Sequence, residues 1–386
     1  MSAQQAAAEH PAPQSQPTAT QPVPAPRNGF LQGMWLIVTL DLKQRVRGVA
    51  WYVLLGVFVL LVTLVTALLV LATNAWDDGG GGVFSTIVFF VLLLATLVSP
   101  ALSGNAVNGE RDAGTLATTQ VTLISTAQLI VGKWIAAWLT ALAFLAASLP
   151  FLVFAVALGQ VSAATIAVST LVLAIELGVI AAIGVGLSGV LTRPLFSVAV
   201  TYLVVAALSV GTLIAFGLGG AAIQTTVRQT YIGVDWERLD ENGLPPGDGP
   251  APCLPPEVRE YQTPRFDLVW GFLAANPYVV VADASPGAFD EYGNPRDLFG
   301  WIAVGVRTAQ HAPEVDAVID DCANWNPSGE WTSPDYETPR EVYDRSVPSW
   351  FVGLAIHALL GAGALLWAWR RTEVPARRLP TGSRVA

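Results

Sequence analysis

Six long apolar runs dominate the chain. They cover approximately Val49–Thr73, Val83–Gly104, Val131–Leu158, Ala163–Leu191, Leu195–Gly220 and Trp350–Trp369. Each is near or above the ~20 residues that a helix needs to cross ~30 Å of hydrocarbon. Core helices of soluble proteins seldom run so long without charge. The pattern predicts an all-α polytopic membrane protein with six transmembrane helices. Ahead of the first run, Leu31, Met34, Trp35, Val38 and Leu42 fall at helical spacing, with Gln32, Thr39, Lys43 and Gln44 on other faces. Residues 30–48 therefore read as an amphipathic helix. It lies at the membrane surface with Lys43, Arg45 and Arg47 toward the headgroups, or it packs on the bundle with those charges solvated. Residues 1–29 consist largely of Ala, Gln, Pro, Ser and Thr without apolar period. They read as a disordered cytoplasmic tail and not as a signal peptide.

The polar interruptions are unequal. The largest, residues 221–349, holds eight arginines, no lysine and 21 acids, a net of −13, while the rest of the chain sums to +4. Two environments are implied. Basic residues near the span ends alternate: Lys43, Arg45 and Arg47 precede the first span, Arg111 and Lys133 flank the second gap, and Arg193 joins the fourth span to the fifth. Arg370, Arg371, Arg377, Arg378 and Arg384 follow the sixth. This alternation places both termini in the cytoplasm, residues 370–386 as a cytoplasmic tail and residues 221–349 outside. Pro, Gly, Asp and Glu make Asp235–Glu260 read mostly as loop. The stretch Phe266–Ala284 is apolar but broken at Asn276-Pro277, too short on either side to span. It reads as a re-entrant or interfacial helix pair, or as a buried helix of a small external domain. Cys253 and Cys322 both lie in the external segment, where oxidation is permitted. A disulfide between them would close a loop of about 70 residues, worth roughly 4 kcal/mol; two free buried thiols are the alternative.

Composition agrees with the membrane reading: 53% of the 386 residues are hydrophobic and 13% charged. The alanine-, arginine- and proline-rich, lysine-poor usage points to a high-GC bacterial source.

One stretch between two spans carries the functional signal: Asn108–Lys133, NGERDAGTLATTQVTLISTAQLIVGK. Glu110, Arg111 and Asp112 are costly in hydrocarbon, so the stretch leaves the membrane. Gly109 and Gly114 bracket them and suggest a turn before a short interfacial helix that starts at Thr115. The order Glu110-Arg111-Asp112-x-Gly114-Thr115-Leu116, then Leu123, Ser125 and Thr126, then Ile130-Val131-Gly132-Lys133, resembles the permease subunits of type-2 ABC exporters. It departs from the family's usual Thr-Pro-Leu-Ser, having Ser125-Thr126-Ala127-Gln128 instead.

The resemblance implies a coupling segment at residues 105–130 that receives the stroke of a separate ATP-binding subunit. ATP and Mg would be held by that partner, with no cofactor in this chain. It implies pairing with a second copy or a related permease, in a bacterial plasma membrane. It also implies short external helices near Asn276-Pro277 that cap the outer mouth of the pathway. Glu110, Arg111, Asp112, Gly114, Thr115 and Leu116 are then the coupling candidates, Lys133 would anchor the exit at the headgroups, and Asn276 and Pro277 are gate candidates.

Within the spans, Glu176 is the one deep carboxylate. It serves in coupling or lines a path, or it makes a structural hydrogen bond to a Ser or Thr of another helix. Gly178, Gly184, Gly186 and Gly189 let neighbouring backbones approach. No GxxxxGK[ST], zinc or GxSxG pattern appears, which removes the usual warrants for an enzyme. Acids near Asp320 and Asp321 lack the spacing of calcium ligands, so no metal site is expected, nor any nucleic-acid partner. A membrane-anchored binding or signalling protein with an external ligand-binding segment is the rival reading. An intramembrane enzyme using Glu176 is the other. Peptides, drugs, lipids and cell-wall precursors all stay open as cargo.

Overall fold

The computed structural model describes residues 29–72, 80–112, 114, 124–240, 245, 252–323 and 337–372. The N-terminal tail apart from Gly29, the C-terminal tail beyond Thr372, and Thr115 and Leu116 of the coupling candidates lie outside the described residues.

Helix α1 (Phe30–Arg47) precedes α2 (Val49–Ala72), α3 (Gly81–Ser103) and the short α4 (Asn108–Asp112). Next come α5 (Thr126–Ala157), α6 (Ala163–Val190) and α7 (Pro194–Ala222). The long helix α12 (Trp350–Thr372) ends the described chain. Six of these helices, α2, α3, α5, α6, α7 and α12, are long and apolar enough to cross a membrane. The chain thus has the character of a multi-pass membrane protein.

The third helix of that set begins five residues before its apolar run. Ser125 and Gln128 form a capping box there, each side chain satisfying the other's backbone N–H. Pro194 occupies the first turn of α7, where its missing N–H costs nothing. Mid-way, α7 loosens into a π-helical turn at Ala207–Gly211.

Helices α3 and α6 form the interior, with α2 and α7 at the periphery. Phe144 of α5 meets Trp51 and Phe58 of α2 edge-on at 5.2 and 5.1 Å. Along α6, glycines bring α12 into backbone contact. A Cβ on Gly186 would stand 2.5 Å from Ala364 Cβ, and one on Gly189 2.6 Å from Ala368 Cβ.

The helix ends sort into two groups. At the proximal end lie α1, α4, the start of α5 and the ends of α3, α6 and α12, as Arg45 touches Leu102 and Gly189 touches Thr372. At the distal end the start of α3, the start of α6 and the start of α12 meet the long polar segment.

That segment folds. Strand β1 (Gln224–Ile232) lies centrally, antiparallel to β2 (Glu257–Pro264) and parallel to β3 (Asp316–Asp320). These strands add to the helical architecture expected, and β2 begins at Glu257, within the stretch read as loop. The sheet is half exposed and only Val227 in it is buried, so no buried face imposes a clear alternation. Between the strands, α8 (Gly271–Ala274), α9 (Pro277–Ala284) and α10 (Leu298–Thr308) cover the bundle's distal end, and α11 (Pro339–Arg345) follows β3. Phe299 of α10 packs on Phe84 and Phe89 of α3. Asp297 caps α10 through the Gly300 amide and also accepts from the Ala288 amide. Burial pushes its carboxyl above the usual range.

Candidate functional site

The proximal cluster grows from α4. Glu110, Arg111 and Asp112 lie in a short helix rather than in a turn, and the turn follows at Gly114, whose φ of +69° is the left-handed conformation that glycine supplies. Arg111 reaches back to the C-terminal end of α6, donating to the carbonyls of Leu191 (3.2 Å) and Gly189 (3.3 Å) and to Asn108 Oδ1 (2.7 Å). A cation there satisfies free carbonyls and complements the helix dipole. Ser188 Oγ accepts the amides of Val107 and Asn108, which lack partners at a helix start.

Glu110 faces Lys133 of α5, Oε1 to Nζ 2.7 Å. Lys133 is 3% exposed and lies 3.6 Å from Asp41 of α1. It therefore does not reach the headgroups as expected; two carboxylates hold it inside. Asp41 in turn receives Arg45 at 3.0 Å. The arrangement needs close approach of α1 and α5. Gly132 provides it, since a Cβ there would stand 2.9 Å from Ile37. The buried face of α1 carries Gly33, Ile37 and Val38, with Asp41 and Arg45 half-buried beside them. Phe30, Leu31, Trp35, Leu36 and Leu40 point outward. The helix thus turns its charged pair inward and much of its apolar surface away from the bundle.

The second cluster lies within the bundle. Glu176 of α6 and His357 of α12 are 0% and 1% exposed. His357 Nδ1 stands 2.9 and 3.0 Å from the two carboxyl oxygens, and Nε2 stands 2.8 Å from the Ala275 carbonyl. The partner of Glu176 is an imidazole, not the Ser or Thr hydroxyl considered from sequence.

Asn276 begins α9. Its Oδ1 accepts the Tyr278 amide, and its Nδ2 donates to Ser209 O (2.6 Å) and Thr212 Oγ1 (2.9 Å). Ser209 lies in the π-helical turn of α7. Pro277, Glu176 and His357 line one small crevice with Thr96, Val205 and Leu208. Three residues singled out separately, Glu176, Asn276 and Pro277, are thus brought together.

A third network sits at the distal end. Asp283 of α9 accepts from Arg307 Nε (2.7 Å), Ser349 Oγ (2.9 Å) and the amides of Ser349 and Trp350 at the start of α12. Arg307 also lies 3.8 Å over the Tyr343 ring. Farther out, Cys253 and Cys322 form a disulfide that ties the residues after β1 to the end of β3.

Sequence reasoning passed over His357, Asp41 and the Asp283–Arg307 pair. For His357 a signal existed: it is the imidazole inside the sixth apolar run, and an ionisable group at that depth needs a partner. Asp41 and Arg45 carry an i, i+4 spacing of opposite charge. Nothing local announces the match of Asp283 with Arg307.

Among known proteins, no family model matches the chain, and no curated protein matches it.

Proposed function

We propose that this chain is the membrane-spanning permease subunit of an ABC-2-type exporter. A separate ATP-binding subunit, with its own ATP and Mg, supplies the energy. A second permease, identical or related, completes the pathway. In this reading the proximal end faces the bacterial cytoplasm, both termini lie there, and the polar segment 221–349 is extracellular. Helix α1 rests its outward Leu31, Trp35 and Leu40 against lipid.

The observation that carries the reading is the joint at Lys133. A push on α4 is taken up by Glu110 and Lys133 in α5, by Asp41 in α1, and by Arg111 and Ser188 at the end of α6. Buried, charge-assisted contacts resist shear better than solvated ones, because breaking them strands a charge. A rigid joint of this kind suits a segment that receives force from a partner and delivers it to the spans. The resemblance of Glu110-Arg111-Asp112-x-Gly114-Thr115-Leu116 to the family's coupling element supports the same assignment.

The test is gentle purification in detergent from the native cell. We expect a stoichiometric ATP-binding subunit in the wild type. In Glu110→Lys we expect the protein in the membrane at normal level but substrate-stimulated ATPase lost, because two cations would face each other across 2.7 Å. Unchanged stimulation in that variant would sink the coupling role.

The folded distal segment, with its disulfide and sheet, favours one other reading: a membrane-anchored binding or signalling protein. Purification free of any ATPase, under conditions that keep known complexes intact, would select it.

A further inference from the structure

The Glu176–His357 contact fixes its own proton count. Nε2 of His357 faces the carbonyl of Ala275, which can only accept, so Nε2 carries a hydrogen. Nδ1 then faces the carboxyl of Glu176 with one hydrogen between them. That hydrogen rests on Glu176, giving a neutral acid and a neutral imidazole, or on His357, giving a carboxylate and an imidazolium. Either way the pair is electrically neutral. A further proton leaves a net positive charge in a site that is 0% and 1% exposed. Loss of the proton leaves a net negative charge and sets an imidazole lone pair against a carboxylate. Both states are costly at that burial.

The surrounding elements do not relieve that cost. Helix α3 offers Thr96, and α7 offers Val205 and Leu208. On α5, Lys133 is committed to Glu110 and Asp41. On α9, Asp283 is committed to Arg307, and Tyr278 brings an uncharged phenol whose ring lies 6.2 Å from that of Phe89. On α12, Arg370 and Arg371 lie in the last turn, far along the helix from His357.

We propose that Glu176 and His357 form a one-proton binding site that latches the α8–α9 elbow onto the bundle. The latch has two ends. His357 holds the carbonyl of Ala275, and the next residue, Asn276, holds Ser209 and Thr212 at the π-helical turn of α7. With the proton in place, α6, α12, the elbow and α7 are tied together. Loss of the shared proton sets the Nδ1 lone pair against the carboxylate, breaks the Glu176–His357 bond and lets the imidazole turn away from the Ala275 carbonyl, which frees the elbow from α12. Glu176 and His357 are positioning residues. A crevice of about 10 Å³, water-sized, lies beside them and is lined by Val179, Ile180 and Ile183 as well.

The test uses the full chain in lipid nanodiscs, with protons as the probe. Nitrogen-15 spectra of histidine-labelled protein, assigned with His10→Gln, His311→Gln and His357→Gln, should show Nε2 of His357 protonated. The shared proton should leave in a single step that also moves the carboxyl infrared band removed by Glu176→Gln. A His357 that titrates with no change in that band, or that carries its neutral hydrogen on Nδ1, overturns the proposal.

The latch is read by amide exchange over residues 271–285 and 207–212, with variants compared at matched pH and each rate divided by the intrinsic exchange rate at that pH. Glu176→Gln keeps a neutral donor toward Nδ1, so exchange should stay near wild type while the pH response disappears. Glu176→Ala removes the partner, and exchange should rise roughly a hundredfold, the size expected when one member of a buried pair is lost. Equal exchange in Glu176→Ala and wild type would overturn it. So would an unchanged pH response in the folded Glu176→Gln protein.

Discussion

At the scale of residues, burial decides which charges matter. Arg307 is 5% exposed and gives its Nε to Asp283, whereas Glu110 is partly open to solvent. Removing the carboxylate charge in Asp283→Asn strands a buried guanidinium and should cost about 3–5 kcal/mol. Glu110→Gln keeps a neutral acceptor beside Lys133, which retains Asp41, and should cost only ~1–2 kcal/mol. Thermal unfolding in detergent or nanodiscs should therefore rank Asp283→Asn well below Glu110→Gln. The reverse order would mean that the distal network is wetter than its burial indicates. Arg259 and Glu257 make an equally short pair on the exposed sheet, yet solvent screens it, and losing it should have little measurable effect.

At the scale of elements, close approach is bought by missing side chains. Gly186→Val would drive its Cβ into Ala364, and α6 and α12 would have to part, at a cost of about 1–3 kcal/mol or more. The same motion would stretch the Glu176–His357 contact, since both residues lie on those helices. Gly132→Val acts elsewhere: it pushes Ile37 and so lifts α1 from α5. A cysteine pair introduced across α1 and α5 should crosslink efficiently in the parent and poorly in Gly132→Val, while pairs across α6 and α12 stay unaffected. Loss of both crosslinks would indicate general unfolding instead of local separation.

At the scale of the molecule, charge and covalent ties separate the two ends. The polar segment, at −13, sits on the distal end, and most of the basic residues near the long apolar helices lie at the other, Arg228, Arg340 and Arg345 being distal. If the proximal end is cytoplasmic, a cysteine placed at the exposed Tyr292 should react with an impermeant maleimide on intact cells. One at the exposed Asp112 should react only after permeabilisation. The opposite pattern would invert the orientation. The Cys253–Cys322 bond closes a loop of 69 residues around β2, α8, α9, α10 and β3. Replacing both cysteines with serine should lower the stability of this segment by about 4 kcal/mol. Proteolysis should then cut within residues 224–320 before it cuts the spans.

The chain alone determined the six long apolar helices, with five of their starts and all of their ends within about three residues. Length and hydropathy are properties of one helix, and a membrane rewards them without reference to neighbours. The early start of α5 was also written locally, in Ser125 and Gln128, though the apolar run hid it. The carboxylate of Glu176 and the Asn276-Pro277 break were visible as anomalies, but their meaning was not.

What tertiary structure decided is who meets whom. Glu176 and His357 are 181 residues apart, Asp283 and Ser349 are 66 apart, and Glu110 and Asp41 meet only through Lys133. A buried charge requires a partner, and sequence states the requirement. It does not name the partner, because the answer depends on which helix faces are turned together and at what depth. The exposed sheet escaped notice for a related reason. Its strands are held by backbone pairing and a disulfide, not by a buried face, so their side chains carry little pattern to read.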